Sequence, residues 1–275
     1  MPTPAQKPKA VSQLYDDAFY DYQLAHSYSS AQVFVEHLAK IYRPHSVADV
    51  GCGRGPWLKA FGESGAGQLV GFDGSWNGPH NLVDPAIEFR AVDLNSLTPG
   101  PDLGQKRFDL AMSLEVAEHL KPERSPMVVA SMCALSDVVM FGAAIPHQPG
   151  TGHINTEFPS FWARLFADNG FLTYDYFRPE IWGRKGIPYW YQQNTILYVR
   201  NGHPLHEKLR EAGYRPIDRL ETLDAVHPAM FEWFASETGS SRIRRKIRER
   251  VKKILPESAI ARLSAIRRAA KRQPA

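Results

Sequence analysis

Two carboxylates and a histidine near the middle of the chain have a spacing that suits metal binding. Glu115, Glu118 and His119 stand at positions i, i+3 and i+4 of the segment that follows an apolar run. If this segment is a helix, the three side chains lie on one face. Two carboxylates and an imidazole suit a divalent cation such as Mg²⁺ or Mn²⁺. Two alternatives remain: a metal-free pocket in which a histidine is the general base, and a purely structural role.

A glycine-rich turn between a predicted strand and a predicted helix is the second candidate site. Asp49 is followed by glycines at alternating positions, Gly51, Gly53 and Gly55. Glycines here permit positive φ and let the backbone approach a ligand, and the following helix offers free N–H groups. Asp73 ends the next predicted strand, where its carboxylate can accept hydrogen bonds from two ribose hydroxyls. The pattern predicts a nucleoside-containing ligand, and an ordinary strand-to-helix turn is the alternative.

Other candidate contacts follow the later strands. Asp93 comes after the third predicted strand, where it could bind an adenine amino group beside the apolar side chain of Leu94. Leu114 stands at the end of the fourth strand, on the same edge of the predicted sheet. The polar loop after the fifth strand provides His153 and Asn155. We predict that these two residues contact a second ligand, and that His153 or His119 is a general base for it.

Two further features of this part of the chain have weaker implications. His147 lies in the same loop as His153 and is the less favoured of the two as a metal ligand. Four aromatic residues could stack on a sugar or an aromatic acceptor, or pack in the core. They are Trp182, Tyr189, Trp190 and Tyr191.

Seven short apolar runs provide the strands that must position these residues. The predicted strands are 46–50, 68–72, 87–92, 108–113, 137–143, 172–177 and 194–199. The predicted helices include 11–42, 159–169 and 205–215. Strands that alternate with helical stretches predict an α/β fold with a parallel sheet.

The glycine turn resembles the first motif of the class I S-adenosylmethionine-dependent methyltransferases, and the resemblance extends over residues 47–199. The matching residues are Asp49-Val50-Gly51-Cys52-Gly53-Arg54-Gly55. The resemblance implies a Rossmann-like, seven-stranded, mostly parallel sheet with helices on both faces and a last antiparallel strand. It also implies S-adenosylmethionine as the cofactor, with the glycine loop and Asp49 around its methionine part, Asp73 at its ribose and Asp93 at its adenine. A dinucleotide-binding dehydrogenase is disfavoured because its fingerprint is Gly-x-Gly-x-x-Gly and Pro56 follows the third glycine here.

The segment from Glu115 to His119 resembles the Glu-x-x-Glu-His element of two metal-using branches of this family. These are the ubiquinone-pathway O-methyltransferases and the small-RNA 3′-end methyltransferases. The resemblance implies a divalent metal that binds acceptor hydroxyls, with His153 as a further ligand.

A looser resemblance connects the chain with methyltransferases encoded among bacterial surface-polysaccharide and glycosylation genes. It rests on residues 15–20, 152–155 and 159–162. It implies O-methylation of a sugar hydroxyl in a glycan or a glycosylated metabolite. RNA 2′-O-methylation and a non-catalytic binding module in a glycan-assembly complex are the alternatives.

The basic charge of the chain is concentrated at its C-terminal end. Residues 242–275 contain thirteen Lys/Arg and two Asp/Glu, a charge of +11, which leaves −7 for the other residues. The acidic body disfavours nucleic acid as a partner. Apolar residues at helical spacing in the tail are typical of a helix that lies on an anionic membrane surface or binds an acidic partner; a solvated terminal helix is the alternative.

Four parts are predicted along the chain: an N-terminal segment with cofactor-covering helices (1–42), the methyltransferase domain (43–202), a helical extension (203–241) and the basic amphipathic tail (242–275). With only two cysteines, a disulfide framework is excluded. The sequence also has neither an apolar run of membrane-spanning length nor a signal-peptide pattern. We therefore expect a cytoplasmic protein, with the tail as a peripheral contact to the inner face of the membrane.

Overall fold

The computed structural model describes residues 17–98, 103 and 107–238. The predicted basic tail (242–275), residues 1–10 and the part of the predicted helix 11–42 that precedes Asp17 lie outside these ranges. The chain divides into two compact units, one ending at His227 and the other beginning at Pro228. The second unit contains one described helix, α8 (Pro228–Thr238).

Seven strands form one sheet in the first unit. They are β1 (Ser46–Val50), β2 (Gln68–Asp73), β3 (Ile87–Ala91), β4 (Leu110–Leu114), β5 (Val138–Gly142), β6 (Phe171–Tyr174) and β7 (Ile196–Arg200). Their order across the sheet is β3-β2-β1-β4-β5-β7-β6. All neighbours are parallel except that β7 runs antiparallel to both β5 and β6. The predicted Rossmann-like fold with a last antiparallel strand is confirmed.

Helices cover both faces of this sheet, as predicted. The helices of the first unit are α1 (Asp17–Leu38), α2 (Pro56–Glu63), α3 (Ser125–Leu135), α4 (Pro159–Asp168), α5 (Arg178–Ile181), α6 (Tyr189–Asn194) and α7 (Leu205–Glu211). Successive residues of a strand point to opposite faces. Val47 therefore packs in the cluster that contains Phe34 of α1 and Leu58 of α2. Ala48 packs in the cluster that contains Phe166 of α4. Burial on both faces explains why the central strands are continuous apolar runs.

Residues 17–42 and 203–227, on either side of the predicted methyltransferase domain, belong to the same compact unit as the sheet. The carboxylate of Asp224 accepts hydrogen bonds from the backbone N–H and the hydroxyl of Ser160. The backbone N–H of Ile217 donates to the carbonyl of Thr173, at 2.9 Å. Residues 203–227 are thus fastened to α4 and β6. No described helix combines the length and apolar character needed to span a bilayer.

The segment after β4 differs from the prediction. Glu115, Glu118 and His119 do not lie on one face of an α-helix. Glu115 has a positive φ of 58°, and only a short 3₁₀ turn, Ala117–His119, follows. A residue with positive φ lies outside the right-handed helical region, so an α-helix cannot begin at Glu115 directly after the strand. Asn194 also differs, because it ends α6 and does not begin the last strand.

Candidate functional site

The glycine loop between β1 and α2 has the backbone geometry that its sequence predicts. Gly51, Gly53 and Gly55 have φ values of 85°, 53° and 78°. A Cβ on Gly51 would lie 2.4 Å from a Cγ atom of Val116, so this position also requires glycine for space. A Cβ on Gly53 would meet no atom within 4 Å. The loop therefore leaves open space above Gly53 while it packs tightly at Gly51.

Asp73 holds the loop in place from the end of β2. One carboxylate oxygen accepts the N–H of Gly53 and the other accepts the N–H of Gly74, both at 2.7 Å. The side-chain amide of Asn77 donates to the carbonyl of Gly53. Burial raises the pKa of Asp73, and the two backbone N–H bonds counteract that rise. Each carboxylate oxygen has two lone pairs, so Asp73 retains acceptor capacity for hydroxyl groups of a ligand.

A cavity opens beside this loop at the carboxyl ends of β1 and β4. It is lined by Ser27, Asp49, Gly51, Cys52, Gly53, Arg54, Pro56, Trp57, Leu114, Glu115, Val116 and Tyr191. Asp49 is only 5% exposed, and burial, together with the negative charge of Asp73, raises its pKa well above the usual range. Such a carboxylate favours a cationic ligand group, because a cation offsets the cost of its burial.

The structure brings together some of the predicted cofactor residues and separates others. The cavity is lined by Asp49, Gly51, Gly53 and Leu114. Gly55 is the residue directly before α2. Asp93 is exposed, and its carboxylate accepts the N–H of Asn95 at 2.9 Å. Leu94 is buried in a core cluster. The cavity is thus built mainly from β1, β4 and the glycine loop.

One wall of the cavity joins α1, from the segment predicted to cover the cofactor, to α6, and this pairing was not predicted. Ser27 of α1 and Tyr191 of α6 share a hydrogen bond between their hydroxyl groups at 2.9 Å. Trp57 packs edge-on against Tyr191, with ring centroids 5.3 Å apart. The only sequence signal was the aromatic run around Tyr191, which did not indicate a partner on α1. Of the other aromatic candidates, Trp182 is at the surface, 36% exposed.

Glu118, His119 and His153 form a group that could bind a metal. One ligand atom from each residue lies within 4.8 Å of the others. Glu118 is buried, and neither of its carboxylate oxygens makes a hydrogen bond in the described part of the chain. Nε2 of His153 lies 4.0 Å from Oε1 of Glu118. Nδ1 of His153 is also buried and without a hydrogen-bond partner in that part of the chain. Buried polar atoms normally have partners, so this set of atoms fits a cation as its missing partner.

The charges of this group also suit a cation. Burial, and then the nearby Glu115, raises the pKa of Glu118 well above its ordinary value. Burial, and then the proximity of His153, lowers the pKa of His119 to about 4. Burial lowers the pKa of His153 as well. Both imidazoles are therefore neutral at pH 7, the form that binds metals.

Glu115 does not belong to this group, contrary to the prediction from spacing. Its two carboxylate oxygens accept hydrogen bonds from the side-chain amides of Gln148, at 2.8 Å, and Asn194, at 2.7 Å. Burial raises the pKa of Glu115 to about 7, and the bonds from Asn194 and Gln148 counteract that rise. The amide partners were missed because single Gln and Asn residues in a loop and a short helix have no distinctive pattern.

The other candidates in the loop after β5 have different surroundings. Asn155 is 4% exposed, and its amide donates to the carbonyl of Ala117 and the hydroxyl of Ser125. This burial contradicts the prediction that Asn155 contacts the acceptor. The side chain instead fastens the loop to the segment after β4. His147 is exposed and has a positive φ of 69°.

A family model described as a methyltransferase domain matches residues 20–218. Among experimental structures, an O-methyltransferase family protein from Burkholderia thailandensis is similar at 14% identity and a TM-score of 0.52, over 68% of this chain and 60% of that one. That likeness is in the fold. No curated protein sequence matches this chain.

Two other structures are also similar. Magnesium protoporphyrin IX methyltransferase from Synechocystis PCC 6803, with S-adenosylhomocysteine bound, shares 18% identity at a TM-score of 0.45, over 68% of this chain and 89% of that one. An S-adenosylmethionine-dependent methyltransferase from Archaeoglobus fulgidus shares 21% identity at a TM-score of 0.43, over 57% and 75% of the two chains.

Proposed function

This chain belongs to the class I S-adenosylmethionine-dependent methyltransferases, and we propose that it methylates a hydroxyl oxygen of a sugar. The observation that carries the choice of oxygen is the buried group of Glu118, His119 and His153. A hydroxyl is a weak nucleophile until its proton is removed or its oxygen is bound to a cation. Glu118, the first residue of this group, stands three residues beyond Glu115, which lines the cavity.

The cavity suits S-adenosylmethionine. The cofactor supplies an electrophilic methyl group on a sulfonium, together with an ammonium group and a nucleoside. The open space above Gly53 accommodates the close approach of a ligand to the backbone. Asp49 offers a buried carboxylate for the ammonium group, and the free lone pairs of Asp73 can accept the ribose hydroxyls. Alignment of the methyl donor with the acceptor oxygen provides most of the rate enhancement in such a transfer.

The metal-capable group favours a transition-metal ion over Mg²⁺. Two imidazoles and one carboxylate would hold the ion, and nitrogen ligands suit Mn²⁺ or a similar metal better than Mg²⁺, which prefers oxygen. A cation bound there supplies positive charge that lowers the pKa of a coordinated hydroxyl. His119, with a pKa of about 4, is a weak base at neutral pH, so the role of metal ligand suits it better than that of general base.

A sugar acceptor agrees with the charge of the chain. The body of the protein carries −7 outside the C-terminal 34 residues, which disfavours binding to the phosphates of RNA. A sugar presents neighbouring hydroxyls that a single cation can bind together. The looser sequence resemblance to methyltransferases of polysaccharide and glycosylation gene clusters supports the same acceptor class.

The test is a calorimetric titration of the full chain with S-adenosylhomocysteine, followed by Mn²⁺. We expect micromolar cofactor binding, and a separate heat of Mn²⁺ binding that disappears in Glu118→Gln. His147→Gln is the matched control, because this exposed histidine of the same loop lies outside the metal-capable group. Methyl transfer from labelled cofactor to a panel of oligosaccharides, compared with single-stranded RNA, then identifies the acceptor.

Three outcomes would each contradict part of the proposal. Failure to bind S-adenosylhomocysteine would leave a non-catalytic module as the better interpretation. Methyl transfer to RNA and not to any sugar would show that RNA, and not a sugar, is the acceptor. Mn²⁺ binding that survives Glu118→Gln would remove the metal from this group.

A further inference from the structure

A chain of hydrogen bonds determines which side-chain groups face Glu115. The backbone N–H of His227, which can only donate, bonds to Oε1 of Gln193 at 2.7 Å. Nε2 of Gln193 must then donate, and its acceptors are Oδ1 of Asn194, at 2.9 Å, and Oε1 of Gln148, at 3.3 Å.

The donor N–H of His227 therefore also determines the direction of the hydrogen bonds at the carboxyl group of Glu115. The side-chain oxygens of Asn194 and Gln148 already accept hydrogen bonds, so their amide N–H groups face Glu115. Each amide donates a hydrogen bond to one of the two carboxylate oxygens of Glu115. A carboxyl group that receives a donor on both oxygens is favoured as the anion. The buried amide cluster therefore favours the carboxylate form of Glu115 and opposes the burial that raises its pKa to about 7.

This carboxylate lies in the same cavity as Asp49, on its other side. Asp49 is on β1, next to the glycine loop, whereas Glu115 follows β4. The strand order places β4 between β1 and β5. Asp73, for the ribose, stands on β2, on the opposite side of β1 from Glu115. Glu115 is thus on the side of the cavity that faces the loops after β4 and β5.

The backbone at Glu115 is held in an unfavourable conformation. Its φ of 58° is rare for a residue other than glycine, and its N–H donates to the carbonyl of Gly142 on β5 at 2.9 Å. Local strain of this kind persists where surrounding structure maintains it, and it is concentrated at functional sites. The residue held in this conformation lines the cavity.

The two forms of the cofactor differ in charge at one atom. S-adenosylmethionine has a positively charged sulfonium, and S-adenosylhomocysteine, the product, has a neutral thioether. Both carry the same ammonium and carboxylate groups. The reacting methyl group must face the acceptor side of the cavity, so the sulfonium and the Glu115 carboxylate share that side.

We propose that Glu115 is the counter-charge of the sulfonium and makes the site bind S-adenosylmethionine more tightly than S-adenosylhomocysteine. The inference rests on the proposed function. Its consequence is that the attraction disappears when the methyl group leaves, which promotes release of the product. A carboxylate held by two amides needs no rearrangement to exert this effect.

The test is a calorimetric titration of the full chain with three ligands in the presence of EDTA. They are S-adenosylmethionine, S-adenosylhomocysteine and sinefungin, an analogue with a protonated amine at the reacting centre. We expect the wild type to bind the two cationic ligands about tenfold more tightly than S-adenosylhomocysteine. In Glu115→Gln this ratio should fall to about one, with the affinity for S-adenosylhomocysteine changed by less than about twofold.

Asp49→Asn is the matched carboxylate control. All three ligands carry the methionine ammonium, so this variant should weaken them to a similar extent and leave their ratio unchanged. A wild type that binds S-adenosylhomocysteine as tightly as both cations overturns the inference, whatever the variants do. The inference is also overturned if a folded Glu115→Gln variant keeps the same ratio between its affinity for the cationic ligands and its affinity for S-adenosylhomocysteine. Binding of none of the ligands would instead contradict the proposed function itself.

Discussion

The two halves of the cavity edge are built by different means. On the side of β1 and β2, backbone groups form the site: three glycines with positive φ and the N–H groups that Asp73 accepts. On the side of β4 and β5, buried side chains form it: the amides around Glu115 and the carboxylate of Glu118, which makes no hydrogen bond in the described part of the chain. The first half is a backbone cradle, and the second is a group of buried titratable side chains.

This difference indicates a division of work. A cradle of backbone groups binds parts of a cofactor that are the same before and after reaction. Buried charges act on the atoms whose charge changes, where they are strongest because water is excluded. The comparison leads to expectations for variants on each side.

The largest effect is expected in the cradle, from Gly51→Ala. The new Cβ would clash with Val116, and the φ of 85° disfavours any side chain. We expect a loss of about 3 kcal/mol in the free energy of unfolding, which combines overpacking with left-handed strain, and loss of cofactor binding. Thermal unfolding and calorimetry measure these.

Two companion variants sharpen that result. Gly53→Ala, which has free space, should lose only about 1 kcal/mol of stability through its positive φ. Val116→Ala should recover part of the stability of Gly51→Ala by removing the clashing γ-carbons. If Gly51→Ala unfolds and binds like the wild type, the cradle is softer than its geometry implies.

An intermediate effect of opposite sign is expected on the charged side, from Glu118→Gln. Burial raises the folded-state pKa of Glu118 above its ordinary value of 4.5. The folded state therefore takes up a proton, and stability is lost as pH rises from about 4.5 towards the folded-state pKa. Without metal, the variant should be more stable than the wild type at pH 8 by about 1–3 kcal/mol, the cost of a buried group without partners.

Chemical unfolding at several pH values tests this expectation. The difference should shrink towards pH 5, and Mn²⁺ should stabilise the wild type but not the variant. Glu123→Gln, at an exposed position nearby, is the control and should change little. A less stable Glu118→Gln at pH 8 would show that the carboxylate has an attractive partner in the folded protein.

The smallest effects are expected from a pair of aspartates in the cradle half. Asp73→Asn keeps one acceptor oxygen for two N–H groups, and we expect cofactor affinity to fall about tenfold, or about 1.4 kcal/mol. Asp93→Asn should reduce it less than about threefold, because that carboxylate is exposed and already accepts the N–H of Asn95. Calorimetric titration with S-adenosylhomocysteine compares the two, and an equal loss would show that Asp93 binds the ligand directly.

The same comparison explains what could be predicted from the sequence. The strands and the glycine cradle could be predicted from the sequence, because apolar runs and glycine spacing reflect local requirements of the backbone. Asp73 could be placed because it ends a strand adjacent to the glycine strand.

The charged side could be predicted only in part. The types of its residues were evident, but their grouping was not, since one positive φ at Glu115 replaces the expected helix with a 3₁₀ turn. His153 lies close to Glu118 through tertiary contacts. Gln148 comes from the loop after β5, whereas Gln193 and Asn194 come from α6. Side-chain networks between distant segments leave no periodic signal in a sequence.

The hydroxyl bond between Ser27 and Tyr191 has a consequence for how the protein is made. The two residues are 164 positions apart in the chain. At a synthesis rate of about 5–20 residues per second, the second partner appears roughly 10–30 s after the first. The cofactor stabilises only a chain in which its site is complete. We therefore expect the nascent sheet to assemble without help from the cofactor until α6 has emerged from the ribosome.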